Sequence, residues 1–291
     1  MAQIAQRLPQ NVSGDFFVDA TCIDCDACRA IAPGIFRDHG GQSSVYCQPD
    51  DPSQLQRALM ALVACPTASI GSASRRSARA AVAAFPEQVT GNVFFCGFTS
   101  EASFGCWSYL IVRPPEAGGN VLVDSPRFTS PLVRRIEQMG GVALMFLSHR
   151  DDIADHARFA AHFHCPCIMH EEDGAGQLGI ERIISGEEPV RLDADLLLIP
   201  TPGHTRGHQV LLYRDQVLFT GDHLAWSPER NTLTAFREHC WYSWPVQTRS
   251  MGRLLAYPFE WVLPGHGRIG HASRDLMHEH LAGCVAWMKR S

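Results

Sequence analysis

The chain has 291 residues, of which 45% are hydrophobic and 19% charged, and its formal net charge is −5. Apolar material is ample for a core, the charge balance argues against nucleic acid or an anionic membrane as partner, and no run approaches the ~20 apolar residues of a spanning helix. Residues 1–19 show no basic stretch followed by an apolar one, so no secretory signal is expected.

In chain order, residues 1–14 are polar and are expected to fray. Residues 15–70 are Cys-rich, with turns at Pro33-Gly34 and Gly40-Gly41. Within them 51–63 reads as a helix, capped by Asp51 or Ser53, with Leu55, Leu59, Leu62 and Val63 on one face. Residues 71–89 are rich in Ser, Arg and Ala and read as a linker, helical in part. From about residue 90 short β-like runs recur at 93–95, 109–112, 121–123, 142–147, 196–199, 210–213, 217–219 and 261–263. Helical patterns fall at 130–139 and 153–162, and 210–219 reads as a hairpin turning at Arg214-Asp215. The expected organisation is a small α+β domain over 12–72, a linker over 73–89, and an α/β domain of sheets covered by helices over 90–291.

Eleven Cys and fourteen His carry the chemistry. An odd number of cysteines spread over this length does not fit a secreted disulfide framework, so reduced thiols, metal ligands and a cytoplasmic location are expected. Cys96, Cys106, Cys240 and Cys284 sit among apolar or aromatic neighbours and read as small core residues. Cys22-Ile-Asp-Cys25-Asp-Ala-Cys28, followed later by Cys65-Pro66, is different. Three thiols at i, i+3 and i+6 can converge from one tight loop, and a distant thiol followed by Pro closes the cage of a cubane iron–sulfur cluster. A four-thiolate zinc site is the alternative, but structural zinc prefers two paired C-x2-C arms. Cys47 lies alone, so a single 4Fe-4S cluster is expected. The segments CIDCDACRAIAPGIF and ACPTASI resemble a single-cluster bacterial ferredoxin. The resemblance implies electron transfer through a low-potential cluster, with a cluster kept only for structure as the alternative.

Four further segments share one design, an apolar strand ending in metal-type ligands. They end in Ser148-His149-Arg150-Asp151-Asp152, in Thr201-Pro202-Gly203-His204-Thr205, in Gly221-Asp222-His223 and in Pro264-Gly265-His266. Strand ends are rigid and the loops beyond them are free, so ligands gathered there can be preorganised. This order resembles the metallo-β-lactamase superfamily in its glyoxalase-II-like branch, and SFGCWSYLI and GNVLVDSPR fit its opening strands. The resemblance implies an αββα sandwich with one or two divalent metals, zinc first, iron or manganese next.

Carried over residue by residue, His149 matches the first His of the H-x-H-x-D-H loop and Asp151 stands where its second His is usual. His204 matches the next ligand loop, Asp222 the bridging Asp, and His266 the last ligand. In strict register the loop's Asp-His pair falls on Ile153 and Ala154, which cannot bind metal. His156, one helical turn on, or Asp152 could replace it, and Asp152 could equally be a helix cap.

The implied activity is hydrolysis of an ester, thioester or amide bond of a small molecule by metal-bound hydroxide, with Asp222 and Asp151 as the catalytic carboxylates. The chain ends soon after His266, so a helical glutathione-binding domain is not expected. Two other readings stay open. One is an oxidoreductase whose non-haem iron is fed by the cluster, with a redox partner protein. The other is a non-catalytic redox sensor. His208 and His223 are either ligand-orienting or ordinary surface residues. Trp241, Tyr242 and Trp244 read as core sooner than cleft, and His162, His164, Cys165, Cys167 and His170 as a strand entrance sooner than a second metal site.

Overall fold

The structure, a computed structural model, describes residues 2–177 and 179–291. The chain divides into two compact units, one made of residues 1–112 and 125–141 and the other of residues 113–124 and 142–291.

In the first unit the helix Pro52–Ala64 starts as its sequence requires. Asp51 Oδ1 accepts from the Ser53 and Gln54 amides at 2.7 and 2.9 Å, which satisfies two of the orphan N–H groups of the first turn. Strand Phe16–Val18 pairs antiparallel with Ile70–Ser72, and Phe36–Asp38 with Ser43–Val45. The N-terminal residues are not frayed. Asn11 Oδ1 accepts from the amides of Val18 and Val45, each at 3.0 Å, and so ties the terminus to both strand pairs. Leu8 N also donates to Val18 O at 3.0 Å and Val12 N to Val45 O at 2.9 Å, and composition alone could not show such contacts between residues distant in sequence. Residues 73–89 hold the short helix Arg79–Ala83 and a buried Phe85 that meets Phe95 and Phe98 edge-on. Glu87–Thr90, Val93–Phe95 and Tyr109–Ile111 then form an antiparallel meander.

In the second unit Val121–Val123, Leu144–Phe146, Cys167–His170 and Arg182–Ile184 run parallel, in that order. Parallel strands covered on both faces need continuous apolar runs; Val121–Val123 and Leu144–Phe146 have them, and the edge strand Arg182–Ile184, with Arg182 and Ile183 exposed, does not. A second sheet orders Val190–Arg191, Leu196–Pro200, Gln209–Tyr213, Val217–Gly221, Trp261–Pro264 and Gly270–His271. Arg214 and Asp215 both take positive φ, +53° and +49°, which gives the hairpin the turn its twist favours. One face of this sheet, through Ile199, Val210, Leu212, Leu218 and Val262, packs on Met251 and Leu254 of helix Trp244–Leu254 and on Met277, Leu281 and Val285 of helix Arg274–Met288. Each such fully buried aliphatic side chain contributes about 1.5–3 kcal/mol of transfer free energy. Gln209 joins the two sheets: its amide donates to Ser148 O and its side chain to Leu147 O, both at 2.9 Å. Among the described residues no helix is long and apolar enough to cross a membrane.

Candidate metal centre

The ends of four strands in the second unit carry the candidate ligands. His149 follows Leu144–Phe146 in extended backbone, and the turn Arg150–Asp152 comes next. His204 lies in the loop between Leu196–Pro200 and Gln209–Tyr213. Gly203 takes φ +154° there, and a Cβ on it would stand 2.3 Å from Gln247 Cα. Asp222 follows Val217–Gly221, whose Gly221 has φ +49° and no room for a Cβ, since Ser148 Oγ would be 2.7 Å away and His208 Nε2 2.8 Å. His266 follows Trp261–Pro264. That strand runs parallel to Val217–Gly221 with Gly221 opposite Pro264, so Asp222 and His266 leave the sheet at the same edge.

His149, His204 and Asp222 each offer a ligand atom within 4.8 Å of the others. Asp222 Oδ2 lies 3.7 Å from His149 Nε2 and 3.8 Å from His204 Nε2. Asp151 faces the same point, its Oδ2 3.9 Å from His149 Nε2 and 3.6 Å from His204 Nε2. The other oxygen of Asp222 reaches His266 Nδ1 at 2.7 Å. Asp152 is buried with Oδ2 3.8 Å from His149 Nδ1, and Asp152 and His266 present ligand atoms within 4.8 Å of each other. His156 opens the helix His156–Phe163, and its Nδ1 faces Ile153 O at 3.1 Å. It is not in either convergent set found among the described residues.

The electrostatics fit a cation. Burial pushes His149 down to about 4 and His223 to about 3, so both rings are neutral at pH 7. Burial alone would raise Asp222, but the charge and hydrogen bond of His266, aided by His149 and His204, hold it well below the carboxylate range. His204 beside it holds Asp151 low as well. His149 Nε2 and His204 Nε2 are buried with no hydrogen-bond partner among the described residues, a cost that an ion between them removes. Ser148 Oγ meets His149 Nδ1 at 2.9 Å and can set the tautomer that turns the Nε2 lone pair to the ion.

Sequence reasoning left His208 and His223 open between surface and support. Both are fully buried, stacked at 4.8 Å, with His208 5.1 Å from the His149 ring and held by Thr201 Oγ1 at 3.0 Å. The aromatic patch divides. Trp244 packs against Trp287, as core, but Trp241 and Tyr242 are 60% and 43% exposed. Their amides donate to His204 O at 3.0 Å, which places Trp241 beside the His204 ring instead of in the core. In the segment His162 to His170 the two cysteines are buried, His162 and His164 are exposed, and His170 bonds Gly186 O at 2.9 Å. No convergent ligand set forms there among the described residues. The sequence placed Asp124 only in the early Asp-bearing loop that GNVLVDSPR resembles and gave it no role; its Oδ1 accepts from the Ser148 amide at 2.7 Å, directly after strand Val121–Val123. Sequence reasoning missed Asp173, which sits in no metal-type motif.

In the first unit Cys22, Cys25, Cys28 and Cys65 line one pocket. The Ser43 amide points at Cys22 Sγ from 3.4 Å and the Ser69 amide at Cys65 Sγ from 3.3 Å, the donors a thiolate-bound cluster needs. Burial pushes the Cys25 thiol up to about 12 and raises the Cys28 thiol as well, so burying these two is favourable as thiolates only with a cation such as cluster iron beside them. Gly105 lies against Cys25: a Cβ there would stand 2.6 Å from Cys25 Cβ and 2.9 Å from its Sγ.

Fold and site define a metallo-β-lactamase-fold chain, mixed α/β, with an N-terminal 4Fe-4S ferredoxin domain. Residues 18–72 match the 4Fe-4S single cluster domain of ferredoxin I. The DIM-1 metallo-β-lactamase superposes with a TM-score of 0.53 at 19% identity, covering 69% of this chain and 95% of its own. TMB-1 superposes with a TM-score of 0.52 at 17% identity, covering 70% of this chain and 97% of its own. The hydroxyacylglutathione hydrolase of Mesorhizobium japonicum (strain LMG 29417 / CECT 9101 / MAFF 303099) is 28% identical over 120 residues, 40% of this chain and 47% of the relative. The chain thus spans about half the length of the curated relative it matches.

Proposed function

We propose that this chain is a metal-dependent hydrolase of ester, thioester or amide-type bonds in a small molecule, with its ferredoxin domain transferring electrons or setting redox control. The position of Asp222 carries the reading: one oxygen faces His149 and His204, the other His266, as a carboxylate shared between two cation positions would. His149, His204 and Asp222 would hold the first ion, with Asp151 beside them, and Asp152, His266 and Asp222 the second. A bound divalent cation, zinc before iron or manganese, supplies an acidified water as nucleophile and a Lewis acid for the carbonyl oxygen. Asp151, half-exposed and ionised, is placed to take the proton of the attacking water. Trp241 borders the His204 side, where it can exclude water from the reacting bond.

Hydroxyacylglutathione is the first substrate to test, because the curated relative is named for it. The anaerobically purified full chain should hydrolyse an ester or thioester, and His204→Ala should lower kcat/KM by more than about 100-fold, beyond the usual cost of losing an outer-shell partner. Equal rates in the two proteins contradict the proposal.

The second reading is an oxidoreductase. Two imidazoles and one carboxylate at a point are also the ligand set of non-haem iron centres, and the cluster would supply electrons through a partner protein. Iron instead of zinc in the second unit, with oxygen or nitric oxide reduced by the dithionite-reduced protein after excess dithionite is removed, would favour it.

A further inference from the structure

We infer that Asp173 is a positioning residue of the metal centre, a buried carboxylate that locks the loop of His149 and Asp151 to the loop of His204. The inference rests on the metal centre proposed above. Asp173 belongs to the short helix Glu171–Gly174 and is only 4% exposed. Its Oδ2 accepts from Thr205 Oγ1 and from the Arg150 amide at 3.2 Å, and its Oδ1 from the Gly207 amide at 3.0 Å. Thr205 adjoins His204, and Arg150 stands between His149 and Asp151. One carboxylate therefore holds a chain neighbour of His149, Asp151 and His204.

The fit is close. A Cβ on Gly207 would stand 2.6 Å from Asp173 N and 2.8 Å from its Cβ, so the loop can approach the carboxylate only as glycine. The helix is held in turn by His170, whose Nδ1 accepts from the Glu172 amide at 3.3 Å and whose Nε2 meets Gly186 O at 2.9 Å. A buried carboxylate without donors is costly, and here all three donors come from the two ligand loops or their flanks. The His149 and His204 rings stand 4.7 Å apart and edge-to-face. Affinity gained this way is lost when the loops are free to separate, even though every ligand remains.

The test uses the full chain with its cluster loaded, so that the cluster cysteines do not take zinc. Zinc affinity is measured by competition with a chromophoric chelator, and melting of the zinc-free proteins is followed in parallel. Asp173→Ala and Thr205→Val should each weaken zinc binding by about 10–100-fold, and Thr205→Ser, which keeps the hydroxyl, should restore it. A lowered melting temperature with unchanged zinc affinity would show a purely structural role and overturn the inference. If Asp173→Ala does not fold, the Thr205 pair decides alone, and wild-type affinity in Thr205→Val overturns it. A wild-type chain that binds no zinc, iron or manganese outside the cluster refutes the proposed function instead, a result distinct from unequal loss among the variants.

Discussion

Asp222 divides its two oxygens between His149 and His204 on one side and His266 on the other, and its ionised state depends on all three. Asp222→Asn keeps the shape and removes the charge. It should lower metal content and reduce hydrolysis by more than about 100-fold with the fold unchanged, as read by metal analysis and circular dichroism; full metal content would contradict the shared-ligand role. The buried imidazoles make a second prediction for the metal-free chain. His149 and His223 titrate at about 4 and about 3 when folded, against 6.5 when exposed, and burial lowers His208 in the same direction. Between those values the unfolded chain binds more protons, so stability falls as pH drops through the window from 6.5 toward 4. Asp124, raised to about 7 by burial against the hydrogen bonds of Ser148, opposes this, because its contribution is lost as pH rises from 3.8 toward 7. Three rings outweigh one carboxyl. The metal-free protein should lose on the order of 2–4 kcal/mol between pH 7 and pH 4.5, measured by urea unfolding across that range, and a flat profile would mean the rings are not buried neutral.

At the scale of elements, the ligands are delivered by strand ends, and the turns that release them are crowded. Gly221→Ala would force a Cβ against Ser148 Oγ and His208 Nε2 at a left-handed φ. It should destabilise the chain by about 1–3 kcal/mol and lower metal content with it; unchanged melting and metal content would show that the turn can relax. The helix Pro52–Ala64 and the hairpin at Arg214-Asp215 were legible because cap, turn and periodicity act within a few residues. The ordered N-terminus and the exposed Trp241 were not. Asn11 bonds residues as distant in sequence as Val45, and Trp241 is drawn out by the backbone of His204, and no local pattern encodes either contact.

At the scale of the whole molecule, the ferredoxin domain is joined to residues beyond it within the first unit. Thr99 Oγ1 donates to Ala64 O at 2.7 Å and Arg127 to Val63 O at 3.2 Å, at the end of the helix that leads to Cys65, and Gly105 lies against Cys25. Gly105→Ala should therefore lower cluster occupancy, seen as a reduced ratio of iron and sulfide to protein, while leaving zinc in the second unit unchanged. Normal occupancy would show that this loop does not shape the cluster pocket. The spacing of Cys22, Cys25, Cys28 and Cys65 was readable from the chain alone, since three of them share one tight loop and proline marks the fourth. The order of His149, His204, Asp222 and His266 was readable too, because each follows an apolar strand. Which of Asp151, Asp152 and His156 turns toward the other candidate ligands was decided only by tertiary structure. The turn Arg150–Asp152 points Asp151 at His204 and Asp152 at His149, and His156 is carried onto the following helix. The support from Asp173, Ser148 and Asp124 was likewise decided there, because a hydrogen bond between loops far apart in sequence leaves no periodic trace in either one.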